Sequence, residues 1–246
     1  MPAQALEKGL PAPGLVAHVL VSKYAYHLPL HRQEIIFANQ GVHIPRSTQA
    51  GWIGQYGVLL EPLVAAIRQA ILSESYLQAD ETPVPVLAPG TGKTKTGYLW
   101  AYRTGPWSPI QAVVFDYAET RGQQWPTAFL KDFTGILQVD GHSGYYKVLN
   151  RKDILEAGCL AHARRKFHDV FKATRSPMAL DALQRIAKLY EIEADIKDLS
   201  PEDRVTQRRQ RAGPLLNDFK TWLAKSSARG RQSPDSHAET ALQIHQ

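Results

Sequence analysis

Tyr76-Leu77-Gln78-Ala79-Asp80 and Ile136-Leu137-Gln138-Val139-Asp140 are two copies of one pattern. Alternate residues of a strand face one side, so in each copy Gln and Asp share a face while Leu takes the other. Residues that change chain direction follow in both: Glu81-Thr82-Pro83 in the first, Gly141-His142-Ser143-Gly144 in the second. Each aspartate is therefore expected at the C-terminal end of a strand. Between the copies, Gly97 to Arg103 and Ile110 to Phe115 read as two more strands, and Gln123 to Phe133 as a helix with Pro126 in its first turn. A short helical stretch over 144–149 then leads to a fifth strand, Ile154 to Leu160.

The first three strands have short connections and should pair antiparallel. The fourth and fifth follow crossover helices and should add in parallel, with right-handed crossovers. The fold class is thus α/β, a mixed five-stranded sheet flanked by helices, and this strand order matches the ribonuclease H-like fold. Residues 73–172 form this expected core.

Upstream, residues 1–14 are rich in Pro and Gly and read as a linker, and 15–72 as helical. Within that region, a helix from Pro29 to Asn39, a turn at Gly41 and a helix capped by Ser47 read either as a DNA-binding helix-turn-helix or as a plain helical hairpin. A further helix should bury Leu59, Leu60, Leu63, Val64, Ile67 and Ile71. Downstream, 173–225 is expected to be a helical insertion docked on the sheet. Leu180, Leu183, Ile186, Ala187 and Tyr190 share a face, and Gly213-Pro214 should break or kink the later helix. The stretch 226–246 is polar and aperiodic and reads as a disordered, aberrant tail.

A formal net charge of +6 favours a polyanionic partner, and the cations cluster in 151–175 and at Arg208, Arg209 and Arg211. One cysteine, Cys159, rules out an internal disulfide. No apolar run approaches the length of a membrane span, and no basic segment followed by an apolar one opens the chain, so neither membrane nor secretory signal is expected.

If the strands carrying Asp80 and Asp140 are neighbours, the two carboxylates stand roughly 5 Å apart. Such a pair repels unless a cation lies between them. Hard ions such as Mg²⁺, or Mn²⁺, take oxygen ligands and keep several waters. Two of them can clamp the attacking and leaving oxygens of a phosphodiester. Asp80 and Asp140 are therefore the expected metal ligands and catalytic residues, the alternative being that each caps a loop. His162, Arg164, Arg165 and Lys166, at the start of a helix past strand five, are candidate DNA-phosphate contacts or a solvated basic turn. Asp116, closing strand three, fits a loop cap better than an outer acid of the site, and His142 lies beside Asp140.

At these residues the chain resembles the insertion-sequence-66 family of bacterial transposases. The matching stretches are Ser22-Lys23-Tyr24 with His27-Leu28-Pro29-Leu30, Ala79-Asp80-Glu81-Thr82-Pro83, Gly97-Tyr98-Leu99-Trp100, Leu137 to Gly141 with Gly144-Tyr145, and Cys159 to Phe167. They run in the family's order over about residues 10 to 225. The resemblance implies a ribonuclease H-like fold, Mg²⁺, and cut-and-join chemistry on the double-stranded DNA of transposon ends. It places the first acid on Asp80 and the second on Asp140, and implies a bacterial cytoplasmic protein that works with further transposase subunits or accessory proteins. The family's third acid, a Glu in an Asn-Asn segment beyond the helical insertion, is not expected at Glu239, which follows the insertion too soon and lacks the asparagines. The chain is thus expected to be truncated at both ends, with weak metal binding and no efficient strand transfer alone.

Two other signals are set aside. Pro89-Gly90-Thr91-Gly92-Lys93-Thr94 has Leu87 where a phosphate-binding loop needs Gly, and an aromatic strand follows where a helix is required, so a hairpin tip is expected. Cys159, His162 and His168 are one ligand short of a structural zinc site, and Cys159 is expected in the core at a strand end. Two functions remain open: a metal-dependent transposase core, or a non-catalytic DNA-binding remnant using only the basic helices.

Overall fold

The computed structural model describes residues 11–230, with side chains to residue 226. It divides into two compact units between Ala70 and Ile71. The first holds α1 (Pro13–Tyr24), α2 (Leu30–Asn39) and most of α3 (Arg46–Leu72). Its core gathers Val19, Phe37 and Ile44, with Leu15, Leu30, Trp52 and Ile53 packed around them. Buried Gln33 satisfies its amide nitrogen on the carbonyls of Val19 and Leu28, at 3.3 and 3.0 Å. Residues 40–45 link α2 to α3, turning at Gly41 with φ +79°. That link is longer than the roughly three or four residues of a DNA-reading helix-turn-helix.

Two expectations for this region are corrected. The segments carrying Trp52 and Leu59 are one continuous helix that runs through Pro62. Leu59, Leu60, Leu63 and Val64 are exposed rather than packed, and of the expected face only Ile71 is fully buried. With only Arg46, Glu61 and Arg68 charged in 46–72, α3 is also long and apolar enough, by length and composition alone, to cross a membrane.

The second unit is built on a five-stranded sheet of order β3-β2-β1-β4-β5. Its strands are β1 (Tyr76–Ala88), β2 (Lys93–Thr104), β3 (Val113–Ala118), β4 (Gly135–Val139) and β5 (Ile154–Gly158). β1 pairs antiparallel with β2 and β2 with β3, while β4 joins β1 and β5 in parallel. The mixed order and directions are those expected from connection lengths. One face is packed: Leu77, Ala79, Trp100, Tyr102, Leu137 and Val139 are buried there. Tyr102 stacks on Phe129 of α4 (Gln124–Phe129) at 3.7 Å between ring centroids, and Trp100 meets Tyr145 edge-on at 5.4 Å. Gly135, at φ +127°, lies so close to Ser75 that a Cβ would stand 2.4 Å from its carbonyl oxygen.

Several boundaries differ from those expected. β3 begins at Val113, because Ile110 and Ala112 are held in a turn by the Thr104 hydroxyl and backbone. Asp116 therefore lies inside the strand, opposite Trp100, rather than capping its end. β1 does not stop at Asp80 but continues to Ala88, since Pro83 and Pro85 are tolerated where β4 no longer pairs. β5 ends at Gly158, so Cys159 is half-buried at the N-cap of the next helix rather than in a core strand.

The remaining helices are α5 (Tyr146–Leu149), α6 (Leu160–Thr174), α7 (Pro177–Ile196), α8 (Pro201–Gln207) and α9 (Gly213–Gly230). Ser176 and Ser200 cap α7 and α8, their hydroxyls accepting from Ala179 N and Asp203 N. The buried stripe of α7 is Ala179, Ala182, Ile186, Leu189, Ile192 and Ile196, leaving the expected Leu180 and Tyr190 exposed. Phe167 of α6, Ala182 and Ile186 of α7 and Phe219 of α9 form one core, so the hairpin packs on α6. Gly213-Pro214 does not break the helix. A π-turn over Arg208–Ala212 absorbs the lost hydrogen bond just before it. The expected tail begins as helix, since α9 runs to Gly230; residues 231–246, like residues 1–10 of the expected linker, lie outside the described residues.

Candidate metal centre

The parallel pairing of β1 with β4 aligns Leu77 with Leu137 and Gln78 with Gln138. Asp80 and Asp140 each lie two residues further on: alternation puts Asp80 on the glutamine face inside β1, whereas Asp140 falls just past the end of β4 and does not line the cavity that Asp80 lines. Beneath them the strands are tied by side chains. The Gln78 amide donates to Gln138 Oε1 at 2.7 Å, and the Tyr76 hydroxyl donates to the same oxygen. Asp80 Oδ1 accepts from its neighbour Glu81 N at 3.0 Å, and Asp140 Oδ1 accepts from His142 N at 2.9 Å. Both carboxylates are thus held through one oxygen and keep a second. Gly141, at φ +81°, turns the chain directly after Asp140.

β5 delivers the start of α6 to this edge, with Cys159 N donating to Val139 O at 3.0 Å. His162, in the first turn of α6, brings Nε2 to 3.7 Å from Asp80 Oδ2, and its buried Nδ1 has no hydrogen-bond partner. A cavity of about 250 Å³ is lined here by Gln78, Asp80, Arg103, Gln138, Cys159 and His162. Of the candidate DNA contacts, then, His162 joins Asp80. Arg164 and Arg165 do not: they line a separate open groove of about 760 Å³ between α6 and α7, with His168 and Tyr190. Lys166 is half-buried on α6.

The sequence reading passed over the most organised part of this edge. Glu81 points away from Asp80 into the packed side, where its side chain is 1% exposed. Its Oε1 accepts from both Nε (2.7 Å) and an Nη of Arg121, and its Oε2 accepts from the Tyr145 hydroxyl at 2.9 Å. His142 Nδ1 lies 3.7 Å from the same carboxylate and accepts from Gly144 N at 3.0 Å. Three chain segments are thereby locked together: β1 just past its pairing with β4, the loop after β3, and the loop after Asp140. Burial, then the charge and hydrogen bond of Glu81, push the Tyr145 hydroxyl far above its ordinary range, so it remains a donor. Burial and then Arg121 lower His142, against the opposing pull of Glu81 and Asp140. The available signal was the acid itself: a strand position alternating with Leu77 and Ala79 toward the core that nonetheless carries Glu.

The sequence profile of the Transposase IS66 family matches residues 8–246. The chain belongs to this family of transposases. Among curated proteins, it is similar to three from Sinorhizobium fredii (strain NBRC 101917 / NGR234), named Uncharacterized protein y4jD, y4qI and y4hP. They are 38%, 36% and 33% identical to it over 90%, 94% and 92% of this chain. The matches cover 45%, 46% and 44% of those proteins, so this IS66-family chain spans under half the length of the curated relatives it matches.

Proposed function

We propose that residues 71–246 contain the ribonuclease H-like core of a DNA transposase in which Asp80 and Asp140 hold divalent metal, Mg²⁺ or Mn²⁺, at transposon ends. The observation that carries this reading is that each aspartate lies two residues beyond the Gln78–Gln138 pair of two adjacent parallel strands, in a chain of the IS66 family. The donor set fits a hard, hydrated ion. Each aspartate has a second oxygen outside the backbone hydrogen bond, Asp80's lying 3.7 Å from His162 Nε2, and Mg²⁺ typically takes one or two carboxylates and keeps waters. Among the described residues, no three His, Cys, Asp or Glu side chains are close enough to enclose a metal. Affinity should therefore be weak, with a Kd on the order of millimolar.

The bound ions would supply activation of water or a DNA 3′-hydroxyl and stabilisation of the leaving oxygen. The chain's own part is to hold the two carboxylates in fixed positions. The Gln78–Gln138 tie sets the strand register below them, and the Glu81–Arg121–Tyr145 cluster holds the loop behind Asp140. His162, beside Asp80, is available to a phosphate oxygen of substrate DNA. Duplex DNA is the proposed partner, which assigns the protein to the bacterial nucleoid. Alone, residues 1–246 are expected to transfer strands poorly, because the two proposed carboxylates among the described residues, with their waters, constrain the ions loosely.

The separate basic groove at Arg164 and Arg165 supports a second reading, a DNA-binding remnant without metal chemistry. Mn²⁺ titration by calorimetry separates the two. Under the first, Asp80→Asn and Asp140→Asn each abolish the binding seen with the parent chain. Equal heats from the parent and both variants would reject the metal centre and leave the remnant.

A further inference from the structure

β1 and β2 are much longer than the sheet they belong to. Pairing with β4 ends at Gln78, and pairing with β3 ends at Tyr98. Residues 84–97 therefore pair only with one another, as a two-stranded arm closed by a turn at Pro89–Gly92, with Gly90 and Gly92 at φ +81° and +65°. The arm leaves the sheet at the edge where Asp80 lies.

The register is unbroken from Leu77↔Thr104 to Ala88↔Lys93, so alternation can be followed along the whole arm. Lys93 and Lys95 stand opposite Ala88 and Val86, on the face that continues through Val84 to Asp80 and Gln78, and Arg103 opposite Gln78 shares it. Between residues 82 and 97 there is no Asp or Glu, and Lys93 and Lys95 are the only charges. Lys95 makes one ion pair, with Glu119 at 3.1 Å, but both side chains are more than half exposed and such pairs exchange readily for other anions.

We infer that this arm is a DNA-binding element, laid along the duplex that flanks the carboxylate edge, with Lys93 and Lys95 on its phosphates. The inference rests on the proposed DNA reading and adds where the duplex must run. A two-stranded ribbon is of a size that a DNA groove admits. A protein partner adding a strand is disfavoured, because Pro83 and Pro85 remove donors from the arm's free edge. From Asp80 to Ala88 the strand rises about 26 Å, which spans about eight base pairs.

The test uses the whole chain, 1–246, and a fluorescein-labelled duplex of mixed sequence, with anisotropy read across a salt series. Lys93→Ala/Lys95→Ala should weaken binding at least about tenfold near 0.1 M salt and reduce the salt slope by about 1.8, with Lys93→Arg/Lys95→Arg restoring both. Thr91→Cys in a Cys159→Ser background, carrying a photo-crosslinker, should join the arm tip to DNA. Parent and double-alanine chains binding with equal affinity and slope would overturn the arm's role while leaving DNA binding intact. Crosslinking to a second protein chain in place of DNA would also overturn it. A parent chain that does not bind the duplex at all would instead remove the DNA reading beneath it, and the arm with it.

Discussion

Replacing Tyr145 by Phe removes one oxygen from the Glu81 cluster and leaves the ring against Trp100. The side chain is fully buried, and the Glu81 carboxylate is 1% exposed, so water cannot take over the lost bond. A hydrogen bond to a charged group contributes about 1.5–3 kcal/mol. Arg121 still neutralises Glu81, so the carboxylate is not stranded and the middle of that range applies, about 2 kcal/mol. With a urea dependence of about 2 kcal/mol per molar, the midpoint should fall by about 1 M. Because the chain has two compact units, unfolding is best followed by hydrogen exchange in peptides over 97–104 and 135–149, which report the sheet unit alone. The partner variant is Glu81→Gln, and a double-mutant cycle should give a coupling of about 2 kcal/mol. Tyr145→Phe within about 0.5 kcal/mol of the parent, or additive effects in the cycle, would refute the view that this bond braces the loop behind Asp140.

Other outcomes follow from neighbouring features. Gly135→Ala should cost about 3 kcal/mol or more, since the residue sits at φ +127° with a backbone carbonyl where the Cβ must go; an unchanged melting temperature would contradict this. The Arg208 hydrogen bonds, ahead of the opposing effect of burial, lower Glu193 below its ordinary value. A depressed carboxylate stabilises the fold above its unfolded pKa, and that contribution is lost as pH falls through the lower folded value. Both side chains are 42% exposed, so Glu193→Gln should cost less than about 1 kcal/mol at pH 7 and nothing once the carboxylate is protonated, as read by urea midpoints at the two pH values. A larger loss at low pH than at neutral pH would reverse the sign and reject the assignment.

The parallel between residues 76–80 and 136–140 was readable because strand alternation is local. Leu in, Gln and Asp out follows from the pleat without knowledge of a partner, and the short and long connections between strands set their directions. Those same features led to the expectation that Asp80 and Asp140 share one edge and one face; the structure makes their two strands parallel neighbours, with Asp80 inside β1 and Asp140 just past β4. What the chain order could not supply were the positions that depend on a neighbour's absence. Glu81-Thr82-Pro83 after Asp80 read as a strand end, yet β1 continues through Pro83 and Pro85 because β4 no longer pairs there. Leu59 and Leu63 read as core, yet nothing about a helical stripe says which surface will meet it, and both are exposed.

By itself, then, the sequence determined the α/β class and the strand pairing, both of which arise from the period and spacing of nearby residues. The tertiary structure alone decided that Glu81 is a buried clasp for Arg121 and Tyr145, that His162 faces Asp80 while Arg164 and Arg165 face another groove, and that β1 and β2 run out as an arm. Each of these joins residues far apart in the chain through burial and direction, and a one-dimensional pattern carries neither.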